Sequence, residues 1–237
     1  MINFKILTLF EELFPGPLGS SITGTALKNK LWSLETINIR KYAKDVHKTV
    51  DDIPYGGGAG MVLKPDVIAD AIEANIDKNS HPKIFYLSPR GKVFTQKMAC
   101  EMAKESEIVL LCGRYEGVDQ RVLDEFKIEE VSIGDYILSN GEIASYILID
   151  AILRNCEGVL GASDSIKEES FCMEESEFLL EYPHYTRPSS WRGREIPEVL
   201  TSGHHKNIND WRLKKSVEIT KEKRNDLYEK YLQSKNK

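Results

Sequence analysis

Nowhere in the sequence do two cysteines stand in a CxxC pair: the four, Cys100, Cys112, Cys156 and Cys172, are scattered along the chain. That spacing argues against a structural zinc site and against a disulfide scaffold, and the thiols read as buried, reduced groups of a cytoplasmic protein. No apolar run reaches the length of a membrane span, and the opening MINFKILTLFEELF turns acidic without a signal-peptide cleavage pattern. Neither membrane insertion nor export is therefore expected. Phosphate-binding signatures are missing as well. No GxGxxG occurs, and no glycine-rich stretch ends in the Gly-Lys-Ser/Thr of a nucleotide-triphosphate loop. Even PYGGGAGM, residues 54–61, places a methionine after its four glycines and no lysine that reaches a phosphate. A dinucleotide or P-loop enzyme is disfavoured.

What remains is an ordinary globular composition: 237 residues, 41% hydrophobic and 29% charged, enough for one large domain or two modest ones. The net charge of −5 hides an asymmetry. Residues 182–237 carry 13 Lys plus Arg against 7 Asp plus Glu, a balance of +6, while residues 1–181 carry −11. A basic segment on an acidic body suits polyanion binding, and it equally suits a solvated surface helix. Charge alone leaves both open.

Short apolar runs bounded by turn residues predict strands at 4–9, 35–39, 83–87, 108–112 and 129–133. Three- and four-residue apolar spacing predicts helices at 24–32, 65–75, 95–104 and 142–154. Such alternation indicates an α/β layer with a mainly parallel sheet. The chain then changes character. NCEGVLGASDSIKEESFCMEESEF is polar and acidic, YPHYTRPSSWRGREIP is rich in proline, aromatics and arginine, and the remainder reads as basic helix. The expected organisation is an α/β domain over 1–160, a flexible linker over 161–175 and a small helical, basic domain over 176–237.

Three glycine-bearing loops are expected at strand ends: LSPRG (87–91), CGRYEG (112–117) and SIGDYILSNGE (132–142). Ligands of open α/β sheets bind beyond the carboxyl ends of the strands, so three such loops can frame one pocket. Singly, each reads as a tight turn. In order, VDDIPYGGGAGM, FYLSPRG, CGRYEGVDQR, EEVSIGDYILSNGE and EYPHYTRP resemble the bacterial tRNA (guanine-N(1)-)-methyltransferases, the TrmD family of the SPOUT superfamily, from residue 1 to about residue 215. The resemblance implies an α/β domain tied in a deep trefoil knot, an exception to the rule against knotted chains. It also implies a cytoplasmic homodimer that takes S-adenosylmethionine as methyl donor and tRNA as substrate. The target is N1 of the guanosine at tRNA position 37, beside the anticodon, when another guanosine precedes it. Magnesium is implied too, but the sequence holds no dedicated cluster of metal ligands.

Carried onto this chain, the resemblance places the donor against Tyr86, Leu87, Ser88, Gly113, Glu116, Gly117, Ile133, Gly134, Asp135, Tyr136, Ile137, Leu138 and Gly141. It makes Glu169 the catalytic base, where the family usually has aspartate, and Arg154 its partner at the guanine. PYGGGAGM becomes a loop beside the methyl-transfer centre that leaves room for a flipped-out nucleotide, with Ala59 where the family commonly has proline. Asn140 replaces a family glycine, and its tolerance of left-handed backbone is expected to preserve the loop. Glu181 matches an acidic position near the donor of the partner subunit. About four extra residues precede LLEYPHYTRP, and His184, Tyr185 and Arg187 either contact RNA or stiffen a hinge. Arg212, Lys214, Lys215, Lys221, Lys223 and Arg224 are expected to grip phosphates. Two other readings remain: a SPOUT methyltransferase with another RNA target, and a tRNA-binding module without catalysis.

Overall fold

The strands of the amino-terminal part are apolar along nearly their whole length, and a strand of that kind must be covered on both faces. The computed structural model describes residues 1–77, 82–160, 168–172 and 177–235, and the chain divides into two compact units, residues 1–161 and 162–237. In the first, β1 (Ile2–Thr8), β2 (Trp32–Asn38), β5 (Lys83–Val93), β6 (Glu107–Leu111) and β7 (Glu129–Ser132) form one sheet of order β2-β1-β6-β5-β7. Every pairing in it is parallel. The expected α/β class with a mainly parallel sheet is observed.

β6 shows how the layers arise. Ile108 and Leu110 join a cluster with α1 (Ser21–Lys28), α3 (Gln96–Met102) and α5 (Gly141–Leu153). Val109 and Leu111 point the other way, into a cluster with α2 (Pro65–Asn75) and α4 (Gln120–Glu125). All four side chains are fully buried, and such burial contributes roughly 1.5–3 kcal/mol per side chain. Two helical layers thus enclose the sheet.

Several boundaries differ from expectation for local reasons. α1 ends before Asn29, and Lys30 takes the left-handed conformation with φ 57°, so Trp32 opens β2 instead of closing the helix. Its buried indole N–H donates to the Thr23 carbonyl at 2.9 Å. α4 was not expected; Asp119 caps it by accepting from the Arg121 N–H. Nor was the short ladder of β3 (Asp51–Asp52) with β4 (Val62–Leu63), which brackets the glycine run. LSPRG is not a loop after a strand. It is an irregularity inside β5, where both Leu87 and Lys92 align with Val131 of β7. Gly91 permits this: a Cβ there would lie 2.2 Å from the Glu130 carbonyl carbon, so only a hydrogen fits.

The second unit contains a hairpin of β8 (Ser190–Trp191) and β9 (Arg194–Glu195) and the helices α6 (His205–Lys223) and α7 (Asn225–Lys235). Of the expected linker 161–175, residues 161–167 and 173–175 lie outside the described residues, as does residue 176 of the extra segment.

Candidate active site

The segments leaving β6 and β7 meet the irregularity inside β5 on the same side of the parallel sheet, around a cavity of about 420 Å³. Tyr86, Leu87, Ser88, Gly113, Glu116, Gly117, Ile133, Gly134, Tyr136, Ile137, Leu138 and Gly141 line it. Asp135 alone of the anticipated donor contacts is absent from the lining. Arg90, Arg114, Tyr115 and Ser139 line it as well, and their place inside the same three motifs was the signal that marked them.

Four glycines, Gly113, Gly117, Gly134 and Gly141, stand in the wall. Gly141 donates its N–H to the Gly113 carbonyl at 3.0 Å, and a Cβ at Gly141 would lie 2.7 Å from the Gly113 nitrogen and 2.8 Å from the Cys112 Cα. Two chain segments cross here at a distance that only glycine allows. Asn140 corrects an expectation. Its φ of −164° is extended, not left-handed; it caps α5, its side-chain oxygen accepting from the Ile143 N–H at 3.0 Å. Asparagine serves this position as one of the preferred capping residues.

At the cavity edge a charged pair joins the half-buried Arg114 to a buried carboxylate. Glu142 in the first turn of α5 is fully buried and accepts from the Thr8 hydroxyl at 2.6 Å. Its other oxygen lies 3.3 Å from the Arg114 Nε, and that guanidinium stacks 4.2 Å over the Phe10 ring. A carboxylate removed from water needs such partners. The pair ties β1, α5 and the loop 112–117 together at the cavity edge. Burial, and then the Glu142 charge, push the neighbouring Cys112 thiol well above its ordinary range. Cys112 is thus a packing group, not a nucleophile.

The glycine run is stitched to the same loop. Met61 accepts from the Glu116 N–H at 2.9 Å and Leu63 donates to the Gly117 carbonyl at 2.9 Å. Gly56, Gly57 and Gly58 have φ of +90°, +80° and +123° with nothing within 4 Å of an added Cβ. Backbone conformation, not crowding, requires glycine there. Tyr55 beside them is almost wholly exposed.

Arg154 caps the carboxyl end of α5 in the first unit, whereas Glu169 belongs to a turn at 168–172 in the second. Its neighbour Glu168 accepts two hydrogen bonds from Arg212 Nη1, each 3.0 Å, and one from the Tyr182 hydroxyl. Glu181 lies 3.8 Å from His184 Nε2. Of the six basic residues expected to grip phosphates, three are already in ion pairs: Arg212 with Glu168, Lys215 with Glu218 at 2.6 Å and Arg224 with Asp226 at 2.7 Å. Lys214, Lys221 and Lys223 have no ion pair among the described residues. No helix among those residues is long and apolar enough to cross a membrane. Nor do they gather three or more His, Cys, Asp or Glu able to hold a metal ion.

Comparison with known proteins agrees with the resemblance of the motifs. The family model described as tRNA (Guanine-1)-methyltransferase TrmD matches residues 2–230. The tRNA (guanine-N(1)-)-methyltransferase of Rhodospirillum rubrum is 54% identical over 227 residues, covering 96% of this chain and 92% of the relative. The Pelagibacter ubique protein of the same name is 51% identical over 231 residues, covering 98% and 99%. That of Wolbachia pipientis is 51% identical over 225 residues, covering 95% and 94%. Matched from end to end in this way, the chain belongs to the TrmD family of tRNA (guanine-1)-methyltransferases.

Proposed function

We propose that this protein transfers the methyl group of S-adenosylmethionine to N1 of the guanosine at tRNA position 37. The observation that carries this reading is the glycine-bearing cavity beside β5, β6 and β7 in a chain of this family. About 420 Å³ lies within the usual range of roughly 300–1,000 Å³ for small-molecule sites. Main-chain donors and acceptors of the loops 86–88, 113–117 and 133–141 suit an adenosine. When bound, S-adenosylmethionine supplies an electrophilic methyl on a positively charged sulfur.

Guanine N1 carries a proton and is a poor nucleophile until it loses it. In this reading Glu169 takes that proton. Negative charge then spreads toward O6, where the Arg154 guanidinium stabilises it without reorganising. Glutamate is longer than aspartate by one C–C bond, about 1.5 Å, so this reading requires a backbone set farther from the base than an aspartate would need. The glycine run beside Glu116 leaves space for the extruded nucleotide, which must leave its stack for the ring to be reached.

The same reading includes the trefoil knot, supported by the tight crossing of Gly141 over Gly113, and a homodimer, supported by exposed Ile143 and Ile147 one turn apart on α5. Residues 1–160 form the donor domain and 176–237 the tRNA-binding domain, in the cytoplasm. The test is incubation with methyl-labelled donor and tRNA, followed by nucleoside analysis. The expected product is 1-methylguanosine at position 37, and Glu169→Gln lowers transfer by roughly 100-fold or more while donor and tRNA still bind. A different methylated nucleoside, or full turnover by Glu169→Gln, overturns it.

A further inference from the structure

Glu168 and Glu169 are adjacent carboxylates in the turn at 168–172 of the second unit. Glu168 belongs to a closed set of three side chains. Arg212 Nη1 donates to both of its oxygens at 3.0 Å, the Tyr182 hydroxyl donates to one of them, and the Arg212 guanidinium lies 4.7 Å over the Tyr182 ring. Each member touches the other two.

The set is itself anchored. Arg212, Ser216 and Thr220 recur at four-residue spacing and so share one face of α6. Thr220 is fully buried; its hydroxyl donates to the Ser216 carbonyl at 2.7 Å and accepts from the Leu180 N–H at 2.9 Å. The stretch 179–182 is thereby laid along α6. It holds the acidic turn in register: Glu181 N–H donates to the Ser170 hydroxyl at 2.9 Å, and Phe171 N–H to the Leu179 carbonyl at 3.1 Å. Glu169 is bracketed by two tethered positions, Glu168 and Ser170, and its carbonyl accepts from Cys172 N–H at 3.1 Å to close the turn.

We propose that Tyr182, Glu168 and Arg212 form a positioning clasp that fixes this turn and with it the backbone from which Glu169 is presented to the substrate. The proposal rests on the reading of Glu169 as the base. Solvent-facing ion pairs contribute little to stability on their own, and Glu168 and Arg212 keep side-chain exposures of 54% and 33%. The clasp acts instead on geometry. The lone pairs of Glu168 are committed to two donors, which leaves it poorly placed to accept a proton from a base. Glu169 meanwhile sits on a backbone with few alternatives, and misplacement of a reacting group by ~1 Å costs on the order of 100-fold in rate.

Two measurements on the full-length protein test it. Cys172 lies in the turn, so its alkylation rate, resolved from the other cysteines by peptide mass, reads the clasp without reference to catalysis. Glu168→Ala and Tyr182→Phe are expected to raise that rate several-fold while leaving Cys100 unchanged; Tyr182→Phe keeps the ring and hence the packing. Single-turnover methyl transfer at saturating tRNA is expected to fall about 10- to 100-fold in Glu168→Ala with donor affinity held, and to recover in part in Glu168→Gln, whose single amide oxygen in place of Oε2 still accepts from Arg212 and Tyr182. Unaltered Cys172 labelling in both variants overturns the clasp. Altered labelling with unaltered transfer overturns its positioning role, as does a Glu168→Gln variant as slow as Glu168→Ala. Normal turnover by Glu169→Gln, with labelling still raised in Glu168→Ala, overturns the assignment of the base instead.

Discussion

The first unit sets part of its cavity wall backbone against backbone, while the second ties its acidic turn largely through side chains. At Gly141 in the cavity wall, and at Gly91 next to it in β5, the close contacts run between backbones, whereas Gly113 and Gly134 face the side chains of Tyr86 and Tyr136. Around the turn they run between Glu168, Arg212, Tyr182 and Thr220. The two constructions fail in different ways. A wall of crossing backbones cannot yield to a new atom, so a single methyl group breaks it. A side-chain set loses hydrogen bonds and charges one at a time, and its behaviour depends on salt and pH.

Gly141→Ala is expected to have the largest effect on this contrast. Its Cβ would lie 2.7 Å from the Gly113 nitrogen, and the displaced atoms are backbone, so overpacking costs about 1–3 kcal/mol or more. Donor binding measured by calorimetry is expected to vanish. Unchanged affinity would show that the cavity wall is softer than its contacts.

A smaller effect belongs to the basic face of α6. Lys215 is engaged by Glu218, and Lys214 has no ion pair among the described residues. Lys214→Glu is expected to lower tRNA affinity and to reduce the slope of log affinity against log salt by about 1. Lys215→Glu is expected to change the slope less. Equal slopes for the two variants would mean that the ion pair opens when RNA binds.

The smallest effect is on alkaline stability. Burial first, and then the hydrogen bond to Glu168, push the Tyr182 phenol up to about 12. The folded state therefore holds this proton more tightly than the unfolded chain, whose tyrosines titrate near about 10. The contribution is complete below that value and fades as pH rises toward the folded one. Denaturant titrations at pH 9 and pH 11 (approximate settings on either side of the unfolded value) are expected to show wild type losing more stability than Tyr182→Phe. Parallel losses in the two proteins would remove Glu168 as a partner of the phenol.

The parallel strands were legible because a strand buried on both faces must be a short apolar run, as EIVLL of β6 is. The limits of α2 were legible to the residue because Pro65 marks its start. α4 escaped notice since six residues, QRVLDE, are too few to display a helical period. LSPRG reads locally as a turn, and nothing local reveals that Gly91 must pass against Glu130, 39 positions later. Glu142 reads as an ordinary acid of a first helical turn; its burial depends on Thr8, 134 residues away. The basic helix looked uniformly available for phosphate until the ion pairs of Arg212, Lys215 and Arg224 were seen.

By itself, then, the sequence determined the α/β class, the motifs that make the cavity, the charge division of −11 and +6, and membership of a methyltransferase family. These follow from local patterning and from ordered motifs, which survive without coordinates. Tertiary structure alone decided which glycines meet another backbone, which basic residues of α6 pair with a carboxylate, and that Glu168 is bound by Arg212 and Tyr182. Each depends on atoms brought within about 3 Å, hydrogen-bond range, mostly from positions tens of residues apart, and no local pattern encodes such an encounter.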